Sequence, residues 1–418
     1  MEEYVINWNG KLNGKLRIKG AKNAILPIMA ASILCEDKVY LDNCPNITDI
    51  HSMLDILNSL GCKTYFNFGI LMIDSKNIQS YEIKNDLACR LRSSIFMLGP
   101  LLSRLKCAKI AHPGGCNIGL RPIDVHLKAL RELGVKVIEN RDDVYCSSKN
   151  SKASKVVLDI PSVGATENII MASVFIKGIT VIENCAMEPE VEDLQNFLVM
   201  MGAKIKGIGK SVVTIEGVNK LHGVTYLPIP DRIVLGTFII MTSMIGGEVE
   251  FENVNMSHLQ SLISKIDKSS CKLLSYNDRL FMKSLDRPKS IKRIETMYYP
   301  GFPTDLQAQI LALQTISKGK SIISENIFET RFKSAKELIK MGAKIDINDK
   351  FAIIDGVDNL YPAKVKATDL RGGAALVLAS MTIKGQSIVS DIYHIDRGYE
   401  DLSLLNSIGA NIKRVQNE

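Results

Sequence analysis

The sequence predicts an α/β protein built from six repeats of about 70 residues that pack in two groups of three. Three observations support this prediction: the length, a phrase around glycine that recurs along the chain, and alternating helical and strand-like patterns within each interval. At 418 residues the chain exceeds what one hydrophobic core usually holds, so two or three domains are expected. An apolar fraction of 46% with 23% charged residues indicates a folded globular protein rather than a disordered one.

A short phrase containing glycine recurs at regular intervals. Its copies SLGCKTY, ELGVKVI, MMGAKIK, KMGAKID and SIGANIK surround Gly61, Gly134, Gly202, Gly342 and Gly409. The spacings are 73, 68, 140 and 67 residues, and the double interval contains KSSCKLL, where Ser270 occupies the glycine position. Six copies therefore fill the chain, and units of this size with mixed helices and strands are typical of α/β subdomains rather than of common solenoids.

Each copy begins with a stretch rich in small apolar residues, such as NAILPIMAASIL or AALVLASMTIKG, whose spacing fits a helix of about three turns. A strand follows, then a polar turn containing Asn or Asp, and then a second amphipathic helix that ends at the repeated glycine. Glycine there predicts a helix end closed by a residue in the left-handed conformation. The segment after it alternates as a strand does and leads to another strand. A linear array of independent subdomains is the alternative, but no linker rich in Gly, Pro or Ser separates the copies.

Charge and cysteine content limit the class of function. The net charge of +7 is a mild excess that suits anionic ligands. Nucleic-acid binding is not expected, because the basic stretches 149–155 and 287–293 contain no aromatic side chain for base stacking. The nine cysteines include no CxxC pair, and the start of the chain does not resemble a signal peptide. The apolar run at 233–247 is too short for a membrane span. These features predict a cytoplasmic protein without membrane insertion.

Polar residues are concentrated at the expected starts of the first helix of each repeat, where unpaired N–H groups attract anions. Ordinary N-capping is the better interpretation for each acidic or hydroxyl residue taken singly: Ser162, Thr166, Asp231, Asp305 and Asp369. Cations are electrostatically unfavourable at a helix N-terminus. The basic residues at these starts are therefore candidates for binding an anion: Lys22, Arg92, Arg232 and Arg371.

The loop PGGCNIGLRP, residues 113–122, is the most suggestive local segment. Its three glycines permit an exposed loop around Cys116, and a nearby Arg121 would lower the pKa of the thiol. The alternative is a small buried cysteine in a tight turn, but the glycine flanks favour a functional residue. No metal site is expected, because the six histidines lack partners at ligand spacing, and His126 and His394 are interpreted as hydrogen-bonded structural residues.

Seven motifs carry a resemblance that runs over nearly the whole chain. They are GAKNAILP (20–27), PGGCNIGLRP (113–122), PSVGAT (161–166), EPEVEDL (188–194), FPTDLQAQ (302–309), ATDLRGGAALV (367–377) and IYHIDRGYEDL (392–402). In this order they resemble the UDP-N-acetylglucosamine 1-carboxyvinyltransferase family, the enolpyruvyl transferases of peptidoglycan synthesis. The resemblance implies two inside-out α/β barrel domains built from six βαβαββ repeats. Residues 22–229 would form the domain with the Cys116 loop, and residues 1–21 plus 230–418 the domain with Asp305 and Arg397.

The resemblance also implies a reaction and its residues. Enolpyruvyl would pass from phosphoenolpyruvate to the 3-hydroxyl of UDP-N-acetylglucosamine with release of phosphate, and without a metal or cofactor. Cys116 would donate a proton or assist phosphate departure, Asp305 would take the hydroxyl proton, and the reactive thiol predicts sensitivity to fosfomycin. The residues that would hold phosphoenolpyruvate are Lys22, Arg121 and Arg397. The further substrate-binding positions are Asn23, Arg92, Pro122, Ile123, Asp124, Val125, Ser162, Val163, Gly164, Ile327, Arg331, Asp369 and Arg371, with Glu188 as another polar position.

Two alternatives remain at this point. Enolpyruvylshikimate phosphate synthase shares the implied fold and chemistry, but the Cys116 loop and residues 121–125 argue against that acceptor. A regulatory or low-activity paralogue that binds the UDP-sugar is the second alternative. Retention of both Cys116 and Asp305 argues against it, because binding alone needs neither an acid nor a base.

Overall fold

The computed structural model describes residues 2–112, 114, 123–266 and 270–416. The strands are short, two to six residues each, and are numbered in chain order. They are β1 (Glu2–Asn7), β2 (Leu12–Arg17), β3 (Val39–Leu41), β4 (Lys63–Asn67), β5 (Ile70–Asp74), β6 (Glu82–Ile83), β7 (Cys107–Ala111), β8 (Lys136–Glu139), β9 (Asp143–Ser147), β10 (Lys155–Val157), β11 (Ile179–Glu183), β12 (Lys204–Lys206), β13 (Val212–Glu216), β14 (Thr225–Tyr226), β15 (Gly247–Glu252), β16 (Cys271–Tyr276), β17 (Arg279–Ser284), β18 (Arg293–Glu295), β19 (Lys320–Ser324), β20 (Lys344–Asn348), β21 (Phe351–Asp355), β22 (Lys364–Lys366), β23 (Gln386–Ser390) and β24 (Ile412–Gln416).

Helices alternate with these strands along the chain. The α-helices are α1 (Lys22–Ala31), α2 (Thr48–Ser59), α3 (Asn85–Ala88), α4 (Leu98–Leu105), α5 (Asp124–Glu132), α6 (Val163–Ser173), α7 (Pro189–Met200), α8 (Arg232–Ile245), α9 (Gln260–Ile263), α10 (Gln307–Ile316), α11 (Lys333–Lys340) and α12 (Leu370–Ser380). Shorter 3₁₀ segments cover Ser32–Leu34, Arg92–Met97, Met256–Leu259, Thr304–Leu306, Ile392–His394 and Leu402–Ile408. The α/β class expected from the sequence is confirmed. The expected helices differ at three places in the described residues. The segment before Gly409 is 3₁₀ rather than α-helical, the helix before Ser270 ends at Ile263, and the helix expected from Arg92 begins as a 3₁₀ segment.

The strands in the described part of the chain form six four-stranded mixed sheets that share one plan. In each sheet one edge strand pairs in parallel with its neighbour, and the other two strands add antiparallel. In the sheet ordered β14–β3–β5–β4, for example, Thr225 of β14 aligns with Tyr40 of β3 in parallel register. Tyr40 in turn aligns with Met72 of β5 in antiparallel register. A common plan of this kind is what a repeated sequence unit produces.

The chain divides into two compact units. The described residues from Gly20 to Ile229 form the N-terminal unit, and those up to Lys19 together with those from Pro230 onward form the C-terminal unit. Each unit holds three of the sheets found in the described residues. The first two strands belong to the C-terminal unit, because β1 lies between β23 and β24 and β2 pairs with β15.

Buried helices occupy the core of each unit. In the C-terminal unit α8, α10 and α12 pack against one another, and every residue of α10 and α12 is buried. In the N-terminal unit α4 packs against α6, and nine of the ten residues of α1 are buried. A helix of small and apolar residues on all sides can be enclosed in this way.

The five repeated glycines close helices as the sequence predicts. Their φ angles are +101°, +80°, +104°, +91° and +96° for Gly61, Gly134, Gly202, Gly342 and Gly409, all in the left-handed region. At Gly61 a side chain would also collide, since its Cβ would lie 2.7 Å from a backbone oxygen. The expectation of left-handed helix ends is confirmed.

The expected N-caps divide into two groups. Ser162, Asp231 and Asp369 accept hydrogen bonds from backbone N–H groups at the starts of α6, α8 and α12, so these predictions are confirmed. Thr166 and Asp305 do not cap their helices. The Thr166 hydroxyl donates to the Ser162 carbonyl, and the Asp305 carboxylate binds two arginines. No helix within the described ranges is long and apolar enough to cross a membrane.

Candidate active site

A carboxylate held between two arginines forms a polar cluster in the C-terminal unit. Asp305 lies in the 3₁₀ turn that precedes α10. Arg331, just before α11, donates from Nη2 to Oδ1 of Asp305 at 2.6 Å, and Arg371, the second residue of α12, donates from Nη2 to Oδ2 at 3.1 Å. The arginine side chains are 3% and 4% exposed, whereas that of Asp305 is 28% exposed. The structure thus brings together three of the residues that the sequence singled out.

Two guanidinium groups face the Asp305 carboxylate in this cluster. Burial disfavours a charge on Arg371, yet the charges of Asp305, Tyr399 and Asp231 raise its pKa above the ordinary value. The Nε of Arg331 and the Nη1 of Arg371 are buried and have no hydrogen-bond partner among the residues that the structure describes. Buried cations with unused donors are suited to an anionic ligand.

Asp369 fixes the start of the helix that carries Arg371. Its Oδ1 accepts from the backbone N–H groups of Arg371 at 3.1 Å and Gly372 at 2.9 Å. A Cβ on Gly372 would lie 2.7 Å from Oδ2 of Asp369, so glycine makes room for the cap. Asp369 therefore acts on the cluster through the backbone of α12.

An aromatic network packs against Arg371. The hydroxyl of Tyr399 lies 2.8 Å from that of Thr237, and Gln309 donates from Nε2 to both hydroxyls at 3.0 and 3.1 Å. The guanidinium carbon of Arg371 lies 5.4 Å from the centre of the Tyr399 ring. All four side chains are buried, so the network restricts where the Arg371 guanidinium can lie.

Arg397 lies half-buried in the turn after the 3₁₀ segment Ile392–His394. Burial and the charge of Arg397 lower the pKa of His394, while the charge of Asp369 acts in the opposite direction. The pKa of His394 therefore depends on the charges of both Arg397 and Asp369, the residue that caps α12. Ile327, the other predicted contact in this unit, is half-buried and its backbone N–H donates to Oε1 of Glu325 at 2.8 Å.

In the N-terminal unit a buried ion pair involves Lys22. Lys22 is the first residue of α1, and its Nζ lies 3.0 Å from Oδ2 of Asp49 in the first turn of α2. The two side chains are 10% and 2% exposed. The sequence predicts a bound anion as the explanation for the positive charge of Lys22 at this helix start. That explanation is incomplete, because the Asp49 carboxylate of the chain itself compensates the charge of Lys22. Asn23 follows and is half-buried.

Three segments expected to bind the UDP-sugar are joined by one buried amide. They are the 3₁₀ segment that begins at Arg92, residues 123–125 at the start of α5, and residues 162–164 at the start of α6. Asn168 of α6 donates from Nδ2 to the carbonyl of Ile95 at 3.0 Å and contacts Nδ1 of His126 at 2.9 Å, while its Oδ1 accepts from the N–H of Gly99 at 2.8 Å. These bonds confirm the structural interpretation of His126.

Gly164 completes the packing of these segments. A Cβ at this position would lie 2.8 Å from Cε1 of His126, so only glycine lets the imidazole approach. Ser162, Val163, Gly164 and Val125 are each partly exposed, and Asp124 is exposed. The structure therefore places these residues in one region of the N-terminal unit and leaves each of them at least partly exposed.

A group of carboxylates lies where α6 and α7 pack. Glu188 precedes Pro189 at the start of α7, and Glu167 of α6 is fully buried. Neither carboxyl oxygen of Glu167 has a hydrogen-bond partner in the described ranges. Burial, with the charges of Glu190 and Glu188, raises the pKa of Glu167 well above its ordinary value. Burial therefore favours the protonated form of the Glu167 carboxyl.

Three predicted site residues, Cys116, Arg121 and Pro122, lie outside the described residues.

The comparisons with known proteins decide the family. Residues 6–403 match the family described as EPSP synthase (3-phosphoshikimate 1-carboxyvinyltransferase). A protein called UDP-N-acetylglucosamine 1-carboxyvinyltransferase 2, from Caldanaerobacter subterraneus subsp. tengcongensis, is 47% identical over 416 residues, which cover 99% of this chain and 100% of the relative. UDP-N-acetylglucosamine 1-carboxyvinyltransferase of Finegoldia magna is 43% identical over 423 residues, with 100% of both chains covered. The chain belongs to the UDP-N-acetylglucosamine 1-carboxyvinyltransferase family.

Solved structures extend the likeness to the fold. The enolpyruvyl transferase NikO from Streptomyces tendae superposes with a TM-score of 0.89 at 22% identity, covering 100% of this chain and 99% of NikO. EPSP synthase from Acinetobacter baumannii gives a TM-score of 0.75 at 16% identity, with 100% of both chains covered. The fold of this carboxyvinyltransferase chain is therefore that of the enolpyruvyl transferases.

Some polar residues of this family member were not singled out from its sequence. They are Asp49 beside Lys22, Asn168 between the three N-terminal segments, Tyr399 beside Arg371 and the buried Glu325. Tyr399 stands in the motif IYHIDRGYEDL, but nothing in a motif shows which side chain it meets. No group of three or more His, Cys, Asp and Glu in the described part of the chain is arranged to hold a metal ion.

Proposed function

We propose that this chain transfers the enolpyruvyl group of phosphoenolpyruvate to the 3-hydroxyl of UDP-N-acetylglucosamine and releases phosphate, the first committed step of peptidoglycan synthesis. The observation that carries this proposal is the identity of 47% with a UDP-N-acetylglucosamine 1-carboxyvinyltransferase over nearly the whole of both chains. The reaction needs no metal or cofactor. Its cell-wall role also links the protein to cell shape and cell division.

Asp305 acts in this proposal as the base for the attacking hydroxyl. The sugar oxygen forms a bond to the central carbon of phosphoenolpyruvate, while Asp305 takes its proton and an acid protonates the methylene carbon. The tetrahedral adduct then loses phosphate and a proton from the methyl group formed in the first step, which restores the double bond. The bonds from Arg331 and Arg371 to its two oxygens orient the Asp305 carboxylate for this role.

Phosphoenolpyruvate carries a carboxylate and a phosphate, and the proposal assigns cations to both. Lys22, Arg121 and Arg397 bind these groups by carry-over from the family. The unused donors of Arg331 and Arg371 in the C-terminal unit support an anion at their positions. Asn23 would contact the reacting sugar.

The UDP-sugar has its own set of residues in the proposal. They are Arg92, Arg121, Pro122, Ile123, Asp124, Val125, Ser162, Val163, Gly164 and Ile327, with Asp369 and Glu188 as supporting polar positions. The exposure of Ser162, Val163 and Asp124 in the N-terminal unit is compatible with this role.

Cys116 is the proposed proton donor or the residue that assists phosphate departure. This assignment rests on the resemblance of PGGCNIGLRP to the loop of the family. The decisive experiment measures phosphate release from phosphoenolpyruvate and UDP-N-acetylglucosamine by the wild type and by Cys116→Ser, with and without fosfomycin. Loss of turnover in the variant and inactivation of the wild type by fosfomycin are expected. Full turnover in Cys116→Ser would remove this residue from the mechanism.

The finer points of architecture and setting belong to the same proposal. Residues 22–229 form one inside-out α/β barrel domain, and residues 1–21 with 230–418 form the other, from six βαβαββ repeats. The protein acts in the cytoplasm on small-molecule substrates, without nucleic acid and without insertion into a membrane.

The family description names a second acceptor class. A match to EPSP synthase over residues 6–403 would also suit an enzyme that uses shikimate 3-phosphate. Such an enzyme would release phosphate only with that acceptor. A regulatory paralogue would bind UDP-N-acetylglucosamine without releasing phosphate from phosphoenolpyruvate.

A further inference from the structure

Glu325 is a buried carboxylate one residue beyond the end of β19. It is 3% exposed, and its Oε1 and Oε2 accept hydrogen bonds from the hydroxyls of Thr296 and Thr304, each at 2.9 Å. Thr296 follows β18, and Thr304 begins the 3₁₀ turn that contains Asp305. The carboxylate therefore joins two segments that are separate in the sequence.

Glu325 also holds the loop that follows it. Its Oε1 accepts from the backbone N–H groups of Ile327 at 2.8 Å and Phe328 at 3.1 Å. Asn326 adds to this attachment, because its N–H donates to the Thr296 hydroxyl at 2.9 Å and its side chain to the Thr296 carbonyl at 3.1 Å. Both ends of the Glu325 carboxylate are thus occupied by neutral donors.

These contacts close a ring around Asp305. Starting at Glu325, the ring passes through the hydroxyl of Thr304 to Asp305, across the hydrogen bond of 2.6 Å to Arg331, and back along the chain through Ile327. Glu325 thus adds a second link between the Asp305 turn and the Ile327 loop to the one that Arg331 makes. A carboxylate with four donors offers little freedom to either segment.

We propose that Glu325 is a positioning residue for the reaction, which sets Asp305 through Thr304 and the sugar-contacting loop through Ile327. The inference rests on the proposed function, in which Asp305 is the base and Ile327 contacts the UDP-sugar. Glu325 touches neither substrate in this account. It acts by holding a base and a binding loop in one geometry, and a displacement of about 1 Å can cost on the order of 100-fold in rate.

The two connections can be tested separately. Thr304→Val removes the bond to Oε2 and leaves the bonds to Ile327 and Phe328, so kcat should fall by roughly 10–100-fold with little change in the KM for UDP-N-acetylglucosamine. Glu325→Ala removes both connections, so kcat should fall and that KM should rise. Glu325→Gln keeps an acceptor for the two N–H groups and places an amide donor opposite the Thr304 hydroxyl, which can rotate to accept, so activity should be largely restored.

Ser321→Ala is the matched control. Ser321 is a buried residue of β19, the strand that precedes Glu325. Its hydroxyl donates to Oε1 of Gln314 at 2.6 Å, away from the ring that contains Asp305. It should reproduce the loss of stability expected for a buried hydroxyl without the loss of kcat. Equal kcat values for Thr304→Val and Ser321→Ala would overturn the proposal, as would a folded Glu325→Ala variant with wild-type kinetics.

Amide hydrogen exchange of the ligand-free protein gives a readout independent of the substrate. Glu325→Ala should accelerate exchange at residues 304–306 and at 327–328, whereas Thr304→Val should accelerate it only at 304–306. If the wild type released no phosphate with UDP-N-acetylglucosamine, the proposed function would fall while the exchange data still decided the role of Glu325. Unchanged exchange in Glu325→Ala would overturn that role.

Discussion

Replacing Asp305 by Asn tests the carboxylate between two buried arginines. The change keeps the shape of the side chain and removes its charge, so Arg331 and Arg371 lose the carboxylate that each of them binds. Breaking a buried pair costs about 3–5 kcal/mol. Because the Asp305 side chain is 28% exposed and solvent screens part of the interaction, we expect the lower end, about 3 kcal/mol.

This free energy predicts a measurable thermal shift. A domain of 150–250 residues shifts its unfolding midpoint by roughly 2–4 °C per kcal/mol, so the midpoint of the C-terminal unit should fall by about 6–12 °C. Phosphoenolpyruvate should raise the midpoint of Asp305→Asn more than that of the wild type, because the variant lacks the carboxylate charge that competes with the ligand for Arg331 and Arg371. Loss of the base should lower the rate of phosphate release by about 10²–10⁴-fold.

The assay combines thermal unfolding, with and without phosphoenolpyruvate, and initial rates of phosphate release. Asp355→Asn is a suitable control, because Asp355 belongs to the same unit and its side chain is 50% exposed, 3.9 Å from Lys320. The control should leave both the midpoint and the rate near the wild type. An Asp305→Asn variant with the wild-type midpoint and more than a tenth of the wild-type rate would refute the reasoning.

Two further predictions concern the N-terminal unit. Asn168→Ala should raise the KM for UDP-N-acetylglucosamine by about tenfold with a smaller effect on kcat. The reason is that the variant loses the hydrogen bonds that join the three segments proposed to bind the UDP-sugar. An unchanged KM in steady-state kinetics would contradict this prediction. Glu167→Gln should change the pH dependence of stability. The folded state keeps the Glu167 proton above the pH at which the unfolded state loses it. The free energy of unfolding of the wild type should therefore fall relative to that of the variant as the pH rises above about 4.5, by up to about 1.4 kcal/mol per pH unit. The difference should level off above the raised pKa of Glu167. Denaturant unfolding from pH 4.5 to 8 measures the difference, and parallel curves for the two proteins would contradict it.

Local patterns in the sequence predicted local structure well. The repeated glycines end helices in the left-handed conformation, and Asp231 and Asp369 cap α8 and α12, because each depends on a few neighbouring residues. Asp305 shows where such reasoning fails. Its position before a helix indicated a cap, but its carboxylate binds Arg371, 66 residues away in the sequence. A long-range charge pair overrides a weaker local preference.

The same limit explains the residues that sequence reasoning did not find. Glu325 follows the short strand β19 and looks like an ordinary polar residue of a turn, yet its partners Thr296 and Thr304 lie 29 and 21 residues away. Lys22 is unusual as a cation at a helix start, but its partner Asp49 comes from another helix. The chemistry of a site can be inferred from motifs, whereas the contacts that hold it depend on how the segments pack.

The most direct test of the central claim offers two acceptors separately. Phosphate release from phosphoenolpyruvate is measured with UDP-N-acetylglucosamine and with shikimate 3-phosphate, and the organic product is identified by mass. We predict phosphate and an enolpyruvyl UDP-sugar with the first acceptor, and no phosphate with the second. Turnover only with shikimate 3-phosphate, or binding of the UDP-sugar without phosphate release, would contradict the account.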